Sequence, residues 1–209
     1  MARRQETKTR QRIAQYAAKL MAEDGITSYM AAKKKAAQQL GAMNIRKLPD
    51  NSEIEAALAQ YQRLFQGRTQ QEYLSRLRQT ALEAMKWLTQ FNPRLVGSVL
   101  SGTASKHSVV SLHVFTDTPE DVCRQLLEFG VPFESGERRL RIDARFIVSY
   151  PAYRFMAEDV RLEVVVLPLK AIRQAPLSPV DGKPMQRADQ GVVESLLNDC
   201  AALSPNRGL

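Results

Sequence analysis

Apolar residues recur at three- and four-residue spacing through residues 1–91. Ile13, Ala17, Leu20 and Met21 form one helical stripe, and Gly25 closes it as a C-terminal cap. Thr27 or Ser28 is placed to cap a second helix through Met30, Ala32, Ala36 and Ala37, ending at Leu40-Gly41. After a loop at Lys47-Leu48-Pro49-Asp50, a third helix begins at a cap of Asn51 or Ser52. It carries Ile54, Ala57, Leu58, Tyr61 and Leu64. Beyond Gly67 a long helix is expected from about Thr69 to Phe91, with Tyr73, Leu77, Leu82, Met85 and Leu88 turned inward. Asn92-Pro93 ends it.

From residue 92 the period changes from helical to two. Strands at about 94–100 and 109–116 flank a Gly-Ser turn, and in the second Val110, Leu112 and Val114 alternate with Ser111, His113 and Phe115. Thr118-Pro119-Glu120-Asp121 reads as a helix start, with a cap, proline at the first helical position and acids in the first turn. That helix runs through Val122, Leu126 and Leu127 to Phe129-Gly130. Short strands then follow at about 131–134 and 138–142 around the turn Glu134-Ser135-Gly136-Glu137. Another is expected at 144–149, and the run Val160-Arg-Leu-Glu-Val-Val-Val-Leu comes last. A Pro- and Gly-rich excursion at 176–185 leads to a final helix at 188–203. The expected class is α+β: a helical N-terminal half (residues 1–91), then a mixed sheet of four or five strands with flanking helices (residues 92–209).

The segment VGSVLSGTASKHSVVSLHVFTD, from Val96 to Asp117, carries the clearest candidate chemistry. Glycine at position 97 lets the backbone approach a phosphate closely, and the Ser98 hydroxyl with nearby N–H groups can hydrogen-bond it. The spacing from Gly97 to the next strand resembles the nucleotidyltransferase superfamily, which shares the fold of DNA polymerase beta. The resemblance covers about residues 93–170. It implies a nucleotide phosphate held by Gly97, Ser98, Gly102 and Ser108, then an Asp-x-Asp pair on the following strand and a third carboxylate on a later one. Two carboxylates two apart on a strand share a face and can hold catalytic Mg²⁺.

Here the pair falls on Val109 and Ser111, and only the third position keeps its acid, Glu163. The resemblance therefore implies a degenerate member: a nucleotidyltransferase-like protein without catalytic activity that binds a nucleotide or nucleic-acid phosphate, with no metal site. The alternatives are an active enzyme with an atypical Mg²⁺ site around Glu163, and a nucleic-acid-binding or interaction module that keeps only the fold. His107 and His113 flank the lost pair. They read as a loop residue and a satisfied strand residue rather than as metal ligands, and Asp117 reads as a turn residue.

Charge adds a second candidate surface. The net charge is +8. Residues 1–91 hold 16 Lys and Arg against 8 Asp and Glu, while residues 92–209 hold 14 of each, so the whole excess lies in the helical half. Lys33, Lys34 and Lys35 on the second helix are candidates for nucleic-acid phosphate contact, and a merely solvated basic surface stands equally open. Arg138, Arg139 and Arg141 read as charges guarding an edge strand, or else as an anion patch. Lys183 and Arg187 either lie on a surface crossing or frame the mouth of the cleft.

Several classes are excluded or disfavoured. No apolar run approaches 18 residues, so a membrane span is not expected. The basic N-terminus lacks the apolar segment of a secretory signal, and Cys123 and Cys200 stand apart with no Cys-x-x-Cys pattern. A cytoplasmic protein with reduced cysteines is the expectation. There is no P-loop, no Gly-x-Ser-x-Gly elbow and no His-Glu-x-x-His.

Overall fold

A computed structural model describes the backbone of residues 2–42 and 47–202, and the side chains of 5–42 and 47–199. The expected helix end at Leu203 and the side chain of Cys200 lie outside the described residues. The chain divides into two compact units. One comprises residues 1–70, 103–108 and 179–182, and the other residues 71–102, 109–178 and 183–209.

The first unit is built on α1 (Ala2–Glu23), α2 (Tyr29–Gln39) and α3 (Asn51–Phe65). Its core joins Ile13, Ala14, Ala17 and Ala18 to Ala32, Ala36, Ala37, Ile54 and Leu58. So many alanines at the seam let the helix backbones come close, and each side chain loses little rotamer freedom on burial. Ser28 caps α2 as expected, accepting the Ala31 N–H at 3.3 Å. Asp50, rather than Asn51 or Ser52, caps α3. It forms a capping box in which the Glu53 carboxylate accepts the Asp50 N–H at 2.6 Å, and Arg10 bridges both acids.

The segment at 103–108 belongs to this unit. Gln62 Nε2 donates to the Thr103 and Ala104 carbonyls at 3.0 and 3.3 Å, and Thr103 donates to Glu55 at 2.6 Å.

The second unit takes α4 (Gly67–Trp87) from Gln71 onward. It continues with β1 (Arg94–Val96), α5 (Ser98–Ser101), β2 (Val110–Phe115), α6 (Pro119–Glu128), β3 (Phe133–Arg141), β4 (Ile147–Ala157), β5 (Val160–Leu167) and α7 (Gln190–Ala202). Sheet order is β1-β2-β5-β4-β3. Only β2 and β5 are parallel. One sheet face is apolar and buried: Leu95, Val110, Leu112, Val114, Tyr153, Phe155, Leu162, Val164 and Val166. Buried Leu77, Ala81, Leu82 and Met85 of α4, Val122 and Leu126 of α6 and Val193 of α7 complete the core. Each large aliphatic side chain contributes about 1.5–3 kcal/mol through burial. Gln125 Nε2 donates to the Trp87 carbonyl at 2.5 Å and Gln190 Nε2 to the Met85 carbonyl at 2.9 Å, tying α6 and α7 to α4.

The α+β class and the order of helices before sheet are as expected, and several details differ. The long helix groups with the sheet from Gln71. The first strand is three residues long, because Gly97 turns the chain into α5. The two short strands expected at 131–142 are one continuous strand, β3. The strand expected at 144–149 runs on to Ala157 through Pro151, which faces Glu137 of β3. Tyr73 is 38% exposed, since it lies one residue off the buried stripe of Leu74, Leu77, Arg78 and Ala81.

Candidate functional site

The second face of the sheet carries the candidate chemistry, and its layout follows from register alone. Paired residues share a face, as do residues two apart on one strand. Val96, Ser111, Glu163, Arg154 and Glu134 therefore form one row across all five strands. Arg94, His113, Val165, Ala152 and Gly136 form the next. Phe115, Leu167, Tyr150 and Arg138 follow on the same face, and Leu140 beyond them. Continuing the β2–β5 register one step places Arg161 beside Val109. Within the strands and the residue beside β1, this face holds Arg94, Arg138, Arg154, Arg161 and Arg187 against Glu134 and Glu163.

Gly97 and Ser98 continue directly from Val96, so they lie at the Ser111–Glu163 end of this face. The structure thus brings Gly97, Ser98, Ser111 and Glu163 to one end of one sheet. Gly97 has φ 76° and ψ −156°, a combination that excludes other residues, and its carbonyl accepts the Leu100 and Ser101 N–H groups at 3.1 and 3.0 Å. Gly102, at φ 86°, closes the short helix. Ser108 belongs to the helical unit. There its hydroxyl accepts the Ser105 N–H at 2.9 Å and is committed to its own turn.

Glu163 is nearly buried, its side chain 8% exposed. Arg154 Nε and Nη2 both lie 2.9 Å from its Oε1, and Arg138 Nε lies 3.7 Å from its Oε2. Arg154 can lie flat across β3 because Gly136 has no side chain. A Cβ there would stand 2.8 Å from Arg154 Nη1.

This donor set does not suit a divalent cation. Val109 is apolar, Ser111 is neutral, and the one carboxylate is already neutralised by guanidinium groups. Among the described residues no three His, Cys, Asp or Glu side chains gather as a metal site. His107 is an exposed loop residue whose ring packs over Gly25, where a Cβ would approach within 2.7 Å.

Further along the face, His113 is 2% exposed and its Nδ1 has no hydrogen-bond partner, so the satisfied strand residue expected there is only buried. Burial, reinforced by the nearby positive charges of Arg187 and Arg138, pushes its pKa down to about 3. Arg187 reaches the same place because Ala188 pairs with Leu95 through two backbone hydrogen bonds of 2.8 and 3.0 Å. Ala188 is buried beneath the sheet with Leu95, so alternation turns Arg187 to the Arg94 side. Its guanidinium lies 5.0 Å over the Phe115 ring and Nη1 donates to the Ala171 carbonyl at 2.7 Å. Nε and Nη2 have no partner. Burial first, and then the charge of Arg94, pulls its pKa down.

The lysine triplet does not present one surface. Lys33 is buried at 8% exposure, Lys35 pairs with Asp24 at 2.9 Å, and Lys34 points outward. Sequence reasoning missed Arg94, Arg154 and Arg161 as members of a site. The available signal was the alternation Tyr150, Ala152, Arg154, Met156, which the intervening Pro151 concealed. No protein-family model matches the sequence, and no curated protein matches it.

Proposed function

We propose that this protein is a nucleotidyltransferase-like, non-catalytic binder of phosphate-bearing ligands, taking a nucleotide or a nucleic-acid phosphate on the arginine-rich sheet face. The observation that carries this reading is the Glu163–Arg154 ion pair, which fills the position where a catalytic domain of this layout would hold metal. In metal-dependent transfer, divalent cations offset the phosphate charge and orient the reacting oxygens. On this face fixed guanidinium groups supply the positive charge, and no carboxylate pair remains to hold a cation. Attraction of phosphate without orientation of a metal-bound nucleophile gives binding and not transfer.

Ser98, at the start of α5, sits at the same end of the sheet and adds a neutral hydroxyl donor to the arginines. Lys34 and the basic helical unit add longer-range attraction for a polyanion.

The test is equilibrium titration of nucleoside triphosphates and short single-stranded RNA onto wild type, Arg154→Gln and Ser98→Ala. Loss of one charge-assisted contact is worth about 1.5–3 kcal/mol. Arg154→Gln should therefore weaken binding about tenfold or more, and Ser98→Ala less. Equal binding by all three proteins would remove the sheet face as the site.

A further inference from the structure

We propose that Arg187, His113 and Arg94 form a built receptor for a single phosphate group, in which the side-on fork of Arg187 and His113 Nδ1 clasp the phosphate oxygens. This rests on the reading of the sheet face as phosphate-binding, and it names the group within that face that takes the anion.

Arginine offers a flat fork, Nε with Nη2, that matches two oxygens of a phosphate or carboxylate. Here Nη1 is spent on the Ala171 carbonyl at 2.7 Å, and the Phe115 ring fixes the plane of the group. The fork is thus oriented and left over: neither Nε nor Nη2 has an acceptor, although both are closed off from solvent. His113 Nδ1 is in the same condition on a residue 2% exposed. Three buried polar atoms from two neighbouring side chains lack partners together, which a native interior avoids. An anion answers all three. The neutral imidazole donates from Nδ1, and the fork donates twice.

Charge favours phosphate over a monovalent anion. Arg94 stands opposite His113 in the β1–β2 register and forms no ion pair among the described residues; neither does Arg187. Glu163, the buried acid on the face, is engaged by Arg154 and Arg138. Burial comes first in lowering the His113 and Arg187 pKa values, and the further depression by Arg187 and Arg138 at His113 and by Arg94 at Arg187 marks a site rich in positive charge. Because the fork is closed to solvent, loading requires the irregular chain that carries Arg187, between Ile172 and Gln190, to shift. A bound phosphate then fastens that chain to the sheet through the fork.

The experiment follows the His113 ring signals by NMR in the full-length protein. Inorganic phosphate, a nucleoside monophosphate and the unphosphorylated nucleoside are titrated separately against a chloride control of matched ionic strength. Phosphate and the monophosphate should shift the His113 signals saturably and raise the melting temperature, while nucleoside and chloride do neither. Tighter binding of the monophosphate identifies a nucleotide as the source, and equal affinity identifies free phosphate. Arg187→Lys keeps the charge but loses the fork, and should weaken the phosphate effect at least tenfold.

No shift of His113 with phosphate beyond the chloride control would overturn the proposal, whatever the stability of the variant. Nucleotide binding with an unmoved His113 leaves the arginine-face reading standing and removes this receptor. A His113 response to free phosphate without any nucleotide binding keeps the receptor and removes the nucleotide reading.

Discussion

Arg154 and Glu163 occupy directly opposed positions on β4 and β5, with Arg154 Nε and Nη2 each 2.9 Å from the same carboxylate oxygen. Their pairing neutralises a nearly buried acid within a basic face, and it makes that face a test of the whole account.

Removing one partner should cost more than removing both. Arg154→Leu leaves a nearly buried carboxylate with only the more distant Arg138. Because the Arg154 side chain is 42% exposed, the loss should be about 1–3 kcal/mol, below that of a fully buried pair. Arg154→Leu combined with Glu163→Leu should recover most of it. Chemical denaturation of wild type, both single variants and the double variant measures the cycle. Additive losses would show that the two side chains are not coupled.

Acid should destabilise the sheet unit through His113. An unfolded histidine titrates near pH 6.5, whereas the folded residue titrates near 3. Between these values the unfolded chain binds the extra proton, so stability present above about pH 6.5 is lost as pH falls toward 3, by up to about 1.4 kcal/mol per pH unit. Burial comes first among the causes, then Arg187 and Arg138. Urea denaturation from pH 7 to 4 should show this slope in wild type and a shallower one in His113→Leu. Identical slopes would place the titration elsewhere.

The two glycines of the Gly-Ser turn should differ. At Gly97 no atom lies within 4 Å of an added Cβ, so Gly97→Ala reports backbone conformation alone, and should cost about 1–3 kcal/mol. Gly102 lies in the ordinary left-handed region, so Gly102→Ala should cost about 1–2 kcal/mol, the smaller effect of the two. Thermal denaturation of both variants checks the order.

Lys33 and Lys34 should separate folding from charge. Lys33→Glu puts a carboxylate into a buried position near Asp50 and Glu53, and should lower the melting temperature of the protein by several degrees. Lys34→Glu, on the outside, should leave it unchanged within about 0.5 kcal/mol of stability while weakening any RNA affinity measured at low salt. A stable Lys33→Glu protein would contradict the packing of α2.

What could be read from the chain and what could not have separate physical causes. Period-3.6 stripes such as Ile13, Ala17 and Leu20 are local, and they identified the N-terminal helices. The rows that make the sheet face are not local. Ser111 and Glu163 become neighbours only through a parallel pairing across more than fifty residues, for which sequence spacing offered only the family resemblance. Arg187 joins them because one bridge, Leu95 with Ala188, sets which way it points. Pro151 hid the length of β4, and at α3 the box is formed by Asp50 with Glu53, with Arg10 bridging both acids, rather than by Ser52 with Glu55 three residues on. The lysine triplet does not present one basic surface, because three adjacent residues on a helix span about 200° of its circumference. Lys33 faces the core as a result.

The central claim, binding of phosphate by fixed arginines without metal-dependent transfer, is tested most directly by calorimetric titration of wild-type protein with nucleoside triphosphates, with and without Mg²⁺. We expect binding that persists in the presence of a chelator, weakens with added salt, and releases no pyrophosphate on prolonged incubation. Binding that appears only with Mg²⁺, accompanied by pyrophosphate release that Glu163→Gln abolishes, would contradict the account and make Glu163 a metal-holding residue of an active enzyme.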